Sequence, residues 1–97
     1  MKKIYIAGKI SGLSPEQFHR KFDLAKKTVQ VKNPDCEVII PTDLCEDDWG
    51  WEKCMDICLD VLWECDCIYM MPDWEDSKGS FIELKIAKKR GMEIKFL

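Results

Sequence analysis

Four short apolar runs, separated by segments long enough to hold a helix, leave this chain few ways to fold. The runs are Lys3–Ala7, Cys36–Ile40, Asp66–Met71 and Met92–Leu97, rich in the β-branched and aromatic residues that suit strands. In the first interval Phe18, Phe22, Ala25 and Val29 recur at helical spacing, which predicts a helix burying one stripe and running to about Val31. Ser14-Pro15-Glu16-Gln17 starts it with an N-cap serine, a proline at the first helical position and a glutamine able to close a capping box. In the second, Trp51, Cys54, Met55, Cys58, Leu59 and Leu62 share a helical face. A third helix is expected to stop at Gly91.

Strands joined through helices pair in parallel, with right-handed crossovers. The order β-α-β-α-β-α-β thus predicts an α/β fold, a flavodoxin/Rossmann-like three-layer sandwich. Its core is a four-stranded parallel sheet of order 2-1-3-4 with helices on both faces. Cys67-Ile68-Tyr69-Met70-Met71 scarcely alternates, so the third strand is expected to be covered on both sides. Met92–Leu97 alternates Glu93 and Lys95 with Ile94 and Phe96, the pattern of a half-exposed edge strand.

With 97 residues, the chain is expected to form a single domain over 1–97. Acids and bases are interspersed, with a net charge of -3, which excludes a basic footprint for nucleic acid. The densest basic run, Lys88-Lys89-Arg90, falls at a helix C-terminus, where cations complement the dipole. No apolar run reaches the length of a membrane span, and the start carries no secretory pattern, so a cytoplasmic protein is expected. The six cysteines include no Cys-x-x-Cys pair, and the spacings match no standard metal set. They are read as buried free thiols, with thiol redox or metal chemistry as an alternative. His19 lies off the apolar stripe of its helix and is read as a flanking surface residue.

In a sheet of this order the chain reverses direction between strands 1 and 3, and ligands bind there, beyond the strand C-termini. The loops at that edge are Gly8–Leu13, Pro41–Gly50 and Pro72–Gly79. Gly8, Lys9 and Gly12 belong to the first, which could approach a phosphate or sugar closely or be a simple turn. It has neither a dinucleotide fingerprint nor a Walker motif. Asp73, Glu75, Asp76 and Glu83 gather near the start of the third helix, where the dipole favours ionised carboxylates. Glu83 is set on the face that should meet the core. Ser80-x-x-Glu83 also satisfies a capping box, so Glu83 reads equally as a first-turn cap and as a reactive carboxylate.

Lys-Ile-Tyr-Ile-Ala-Gly at residues 3–8, Pro41 closing the second strand, Cys65-Asp66 opening the third, and Pro-Asp-Trp-Glu-Asp-Ser-Lys-Gly-Ser-Phe-Ile-Glu at 72–83 together resemble the nucleoside 2-deoxyribosyltransferase-like family. The likeness includes a branch found in bacteria and phages, and Ser77-x-Gly79-x-x-x-Glu83 is similar to deoxynucleoside 5'-monophosphate N-glycosidases. The resemblance implies that Glu83 attacks the anomeric carbon of a 2-deoxynucleoside, or its 5'-monophosphate, and displaces the base. An oxocarbenium-like transition state suits a fixed carboxylate. It further implies that Ser77 and Gly79 hold substrate, that Asp76 assists with the sugar or the base's proton, and that Tyr5 stands near the nucleophile, although a strand tyrosine needs no such role. Asp66 is implied in substrate binding, or only ties its loop; Trp74 either stacks on a base or packs on its own loop. Relatives carry an acid on the second helix where this chain has Cys58, which leaves Asp76 and Asp43 as candidates for protonating the leaving base. No cofactor or metal is implied. The partners are a small-molecule nucleoside or nucleotide, with no nucleic acid or membrane, and a homodimer or higher homo-oligomer. A nucleotide-binding module without catalysis is the alternative reading.

Overall fold

A computed structural model describes residues 1–97. Strand β1 (Lys3–Ala7) leads to helix α1 (Pro15–Lys32), β2 (Glu37–Ile39), α2 (Trp51–Trp63), β3 (Cys67–Met70), α3 (Lys78–Arg90) and β4 (Glu93–Phe96). Single 3-10 turns interrupt the loops at Pro41–Asp43 and Trp74–Asp76. The four strands form one parallel sheet of order β2-β1-β3-β4, as the alternation of elements requires. Tyr5 is aligned with Ile39 on one side and Ile68 on the other.

Alternate residues of the central strands supply two separate cores. Ile4, Ile6, Cys67 and Tyr69 meet Phe22, Ala25 and Val29 of α1 on one face. Tyr5, Ala7, Ile68 and Met70 meet Cys58 and Leu62 of α2 and Leu84 and Ala87 of α3 on the other. With both faces covered, β3 has no polar side to show, which explains its unalternating sequence. At the edge, β4 is mostly exposed, and Phe96 remains 60% accessible.

Local signals fix the helix ends. Ser14 Oγ accepts the Gln17 N–H at 3.2 Å while the Gln17 side chain accepts the Ser14 N–H at 2.8 Å, closing the expected capping box. Gly91 ends α3 in the left-handed conformation with φ 71°, which a side chain would resist. The loops before α2 and α3 are tied back to α1. His19 and Asp47 are 2.8 Å apart, Lys26 reaches Asp43 at 3.0 Å, and Lys21 bonds to both Asp73 and the Lys9 carbonyl.

Candidate functional site

A cavity of about 250 Å³ opens at the C-terminal edge of the sheet. Gly8 after β1, Pro41 and Thr42 after β2, and Ser77, Gly79, Ser80 and Glu83 at the start of α3 all reach it. Phe18 of α1 and Trp51, Met55 and Cys58 of α2 complete the walls. Gly8 owes its place to close packing, because a Cβ there would come within 2.5 Å of Met71 Sδ. A Cβ on Gly79 would lie 3.1 Å from Met55 Sδ, so α2 and α3 also approach each other through a glycine.

Glu83 is the chemical centre of this cavity. It is only 4% exposed and belongs to the buried stripe Gly79, Ser80, Glu83, Leu84 and Ala87 of α3. The hydroxyl of Tyr5, itself wholly buried in β1, donates to Glu83 Oε2. Burial pushes the Glu83 carboxyl up to about 8, and the Tyr5 hydrogen bond only partly opposes this. Burial, reinforced by the neighbouring Glu83 charge, drives the Tyr5 phenol well above its ordinary value, so Tyr5 stays a proton donor. The helix dipole, expected to keep this carboxyl ionised, is outweighed. Glu83 sits in the second turn of α3, where the backbone N–H groups are already used within the helix.

Of the two readings of Glu83, the first-turn cap is not the one the helix forms. Helix α3 begins at Lys78, and its N-cap is Ser77, whose Oγ accepts the Ser80 N–H at 3.1 Å. The Ser80-x-x-Glu83 box therefore does not form. The physical reason is that the helix starts three residues earlier than that box requires, which leaves Glu83 bonded to Tyr5 instead of to a helix end.

Several other candidates are placed elsewhere. Asp66 stands at the opposite edge of the sheet, where its Oδ2 accepts the Lys3 N–H at 2.8 Å and ties the start of β1. Asp43 is spent on Lys26 at the surface. Trp74 packs on Phe81 and Phe96, with ring centroids 5.1 and 6.1 Å away, and does not line the cavity. Asp76 is exposed in the 3-10 turn before α3, also outside the lining. Gly12 makes an exposed turn with φ 86°, and Lys9 contributes only its backbone, to Asp73 and Lys21. Of the residues singled out, Gly8, Ser77, Gly79 and Glu83 line the cavity, with Tyr5 directly beneath.

Sequence reasoning missed two sets of residues. Thr42 Oγ1 and Ser80 Oγ are buried at the cavity without a hydrogen-bond partner in the protein. Such a hydroxyl costs about 1–3 kcal/mol while unsatisfied, which a bound polar ligand can recover. The indoles of Trp49 and Trp51 also line the cavity; the helical period assigns Trp51 to the core, yet it is 42% exposed. The cysteines are a further correction. Cys45 and Cys54 form a disulfide in the lining of the cavity, so two of the six are not free thiols. Their positions nine residues apart reveal nothing until the 43–50 loop folds back onto α2. Cys58, one turn further along α2, is buried beside them, and burial raises its thiol to about 11.

Two solved structures share this fold. The 2-desoxiribosyltransferase from Leishmania mexicana superimposes with a TM-score of 0.74 at 24% identity, covering 100% of this chain and 64% of that one. The Clostridium botulinum CMP N-glycosidase BcmB does so with a TM-score of 0.64 at 19% identity, covering 98% and 70%. At these identities the likeness is one of fold. The chain belongs to the family described as domain of unknown function DUF4406, which it matches over residues 2–96. No curated protein sequence matches it. No helix is long and apolar enough to cross a membrane.

Proposed function

We propose that this protein cleaves or exchanges the N-glycosidic bond of a 2-deoxynucleoside, with Glu83 as nucleophile. The observation that carries this reading is a buried carboxylate exposed only to a nucleoside-sized cavity and held by Tyr5. In its ionised form a Glu83 oxygen attacks the anomeric carbon. The bond to the base breaks and its electron pair leaves with the base, which takes up a proton. The resulting glycosyl ester is then attacked at the same carbon by water or a second base, which loses a proton and releases Glu83. Tyr5 holds one carboxylate oxygen throughout, so that the other is directed at the sugar.

The hydroxyls of Thr42 and Ser80 are suited to the sugar, and the indoles of Trp49 and Trp51 to the face of the base. No lysine or arginine lines the cavity, whereas Glu46 and Asp47 do. Neutral deoxynucleosides are therefore favoured over 5'-monophosphates, for which Ser77 and the first N–H groups of α3 would be the phosphate contacts. Asp76 lies outside the lining, so Glu46 and Asp47, the other acids that line the cavity, are the candidates for protonating the base. We place the reaction in the cytoplasm, where such substrates are found.

The test is to incubate the protein with each deoxynucleoside and its monophosphate, with and without a second base, and follow free or exchanged base by chromatography. Glu83→Gln should lower turnover by roughly a thousandfold or more while the protein stays folded. Undiminished turnover in that variant would remove Glu83 as nucleophile. Nucleotide binding without any product would favour the non-catalytic module, a reading to which the protonated Glu83 and the thiol at Cys58 lend weight.

A further inference from the structure

Three sulfur atoms meet on the α2 wall of the cavity. Cys45 comes from the loop after β2, Cys54 from the first turn of α2 and Cys58 from the next turn. Cys58 Sγ is 3.7 Å from Cys45 Sγ and 3.9 Å from Cys54 Sγ, and all three residues line the cavity. Near-equal distances to both ends of the disulfide put Cys58 side-on to the S–S bond. Displacement by a thiolate needs an in-line approach, so this arrangement is poorly set for exchange within the chain. It is well set for sharing a ligand. Thiolates about 2.3 Å from a tetrahedral Zn²⁺ are about 3.8 Å apart, the separation Cys58 already keeps from both partners.

We propose that, with the Cys45–Cys54 disulfide reduced, Cys45, Cys54 and Cys58 form a three-thiolate site for a thiophilic d10 cation such as Zn²⁺ or Cd²⁺, its fourth coordination position open to the cavity. Reduction by a dithiol, which ends as its own disulfide, or by a phosphine and water, which end as the phosphine oxide, supplies two electrons and two protons and yields two thiols. Binding of one divalent ion then forms three metal–sulfur bonds and releases three protons to solvent. The two states exclude each other, because the disulfide withdraws two of the three ligands. Only Cys45 and Cys54 need to separate, by side-chain rotation within a cluster whose sulfurs all lie within 4.8 Å. A thiol held protonated by burial becomes a ligand once the ion's charge compensates the thiolate. This inference does not depend on the glycosidase reading.

The experiment titrates Cd²⁺ into protein treated with a phosphine reductant and into untreated protein. It reads the ultraviolet thiolate-to-cadmium charge-transfer band, bound metal per chain and protons released. The reduced protein should bind one ion per chain with release of three protons, and the untreated protein should lack the band. Cys58→Ala should lower the band per ion by about a third, and Cys36→Ser should leave it unchanged. An equal band in untreated protein, whose Cys36, Cys58, Cys65 and Cys67 are free, would overturn the proposal. So would an undiminished band in folded Cys58→Ala, or no stoichiometric binding after reduction. If Cys58→Ala fails to fold, the comparison of reduced and untreated wild-type protein decides the matter by itself.

Discussion

Glu83 must be ionised to attack a sugar, yet its surroundings hold the proton. With a carboxyl at about 8, the reactive fraction falls about tenfold for each pH unit below that value. A log kcat/KM profile should therefore rise with unit slope up to pH about 8. Tyr5→Phe removes the one hydrogen bond that lowers this value, so the acid limb should move to higher pH and activity at neutral pH should drop. An unmoved limb would show that another group governs it. The same proton links activity to stability. Between the ordinary 4.5 and about 8, the unfolded carboxyl is ionised while the folded one is protonated, so the folded state binds more protons. Wild-type stability contributed by this group is then full below pH 4.5 and declines as pH rises towards 8. The Glu83→Gln protein should lack this decline and exceed the wild type above pH 8 by a few kcal/mol in denaturant titrations.

At the scale of elements, the start of α3 decides what Glu83 is free to do. Ser77 caps the helix, and that releases Glu83 from the capping box that its spacing from Ser80 also allowed. Ser77→Ala should cost about 1 kcal/mol, read as a fall in Tm of several degrees. It should leave the pH limb in place, because neither Tyr5 nor Glu83 bonds to Ser77; a shifted limb would mean that the cap positions the carboxylate. The strands and the other helices were legible for a simple reason. Capping boxes, a stop glycine and apolar periods are signals within a few residues of one another. The choice between two caps three residues apart was not, because Ser77 and Ser80 have equal intrinsic claim, and the burial of Ser80 and Glu83, with Glu83 bonded to Tyr5 of β1, breaks the tie.

Across the whole molecule, two helices cover one face of the sheet and one covers the other, and the outer side of this assembly keeps apolar surface. Trp63, Phe81 and Phe96 are 47%, 42% and 60% exposed, with Ile57 also accessible. We expect these residues of α2, α3 and β4 to pair two copies of the chain. Light scattering should then give about twice the 11.4 kDa of one chain, and Trp63→Lys should return it to a monomer; a wild-type monomer would refute the pairing. The order of elements, the parallel sheet of order 2-1-3-4 and the inward face on which Glu83 lies can all be read along the chain. These follow from periodicity and crossover handedness, which are local or topological. Which residues share the site emerges on folding. Asp43 and Asp66 went to lysine and backbone partners, Trp74 to a packing role, and Thr42, Ser80, Trp49 and three cysteines to the cavity. Such partnerships depend on loops folding back over distances that no spacing in the chain encodes. The burial that lifts the Glu83 proton is likewise a property of the packed core and of no single segment.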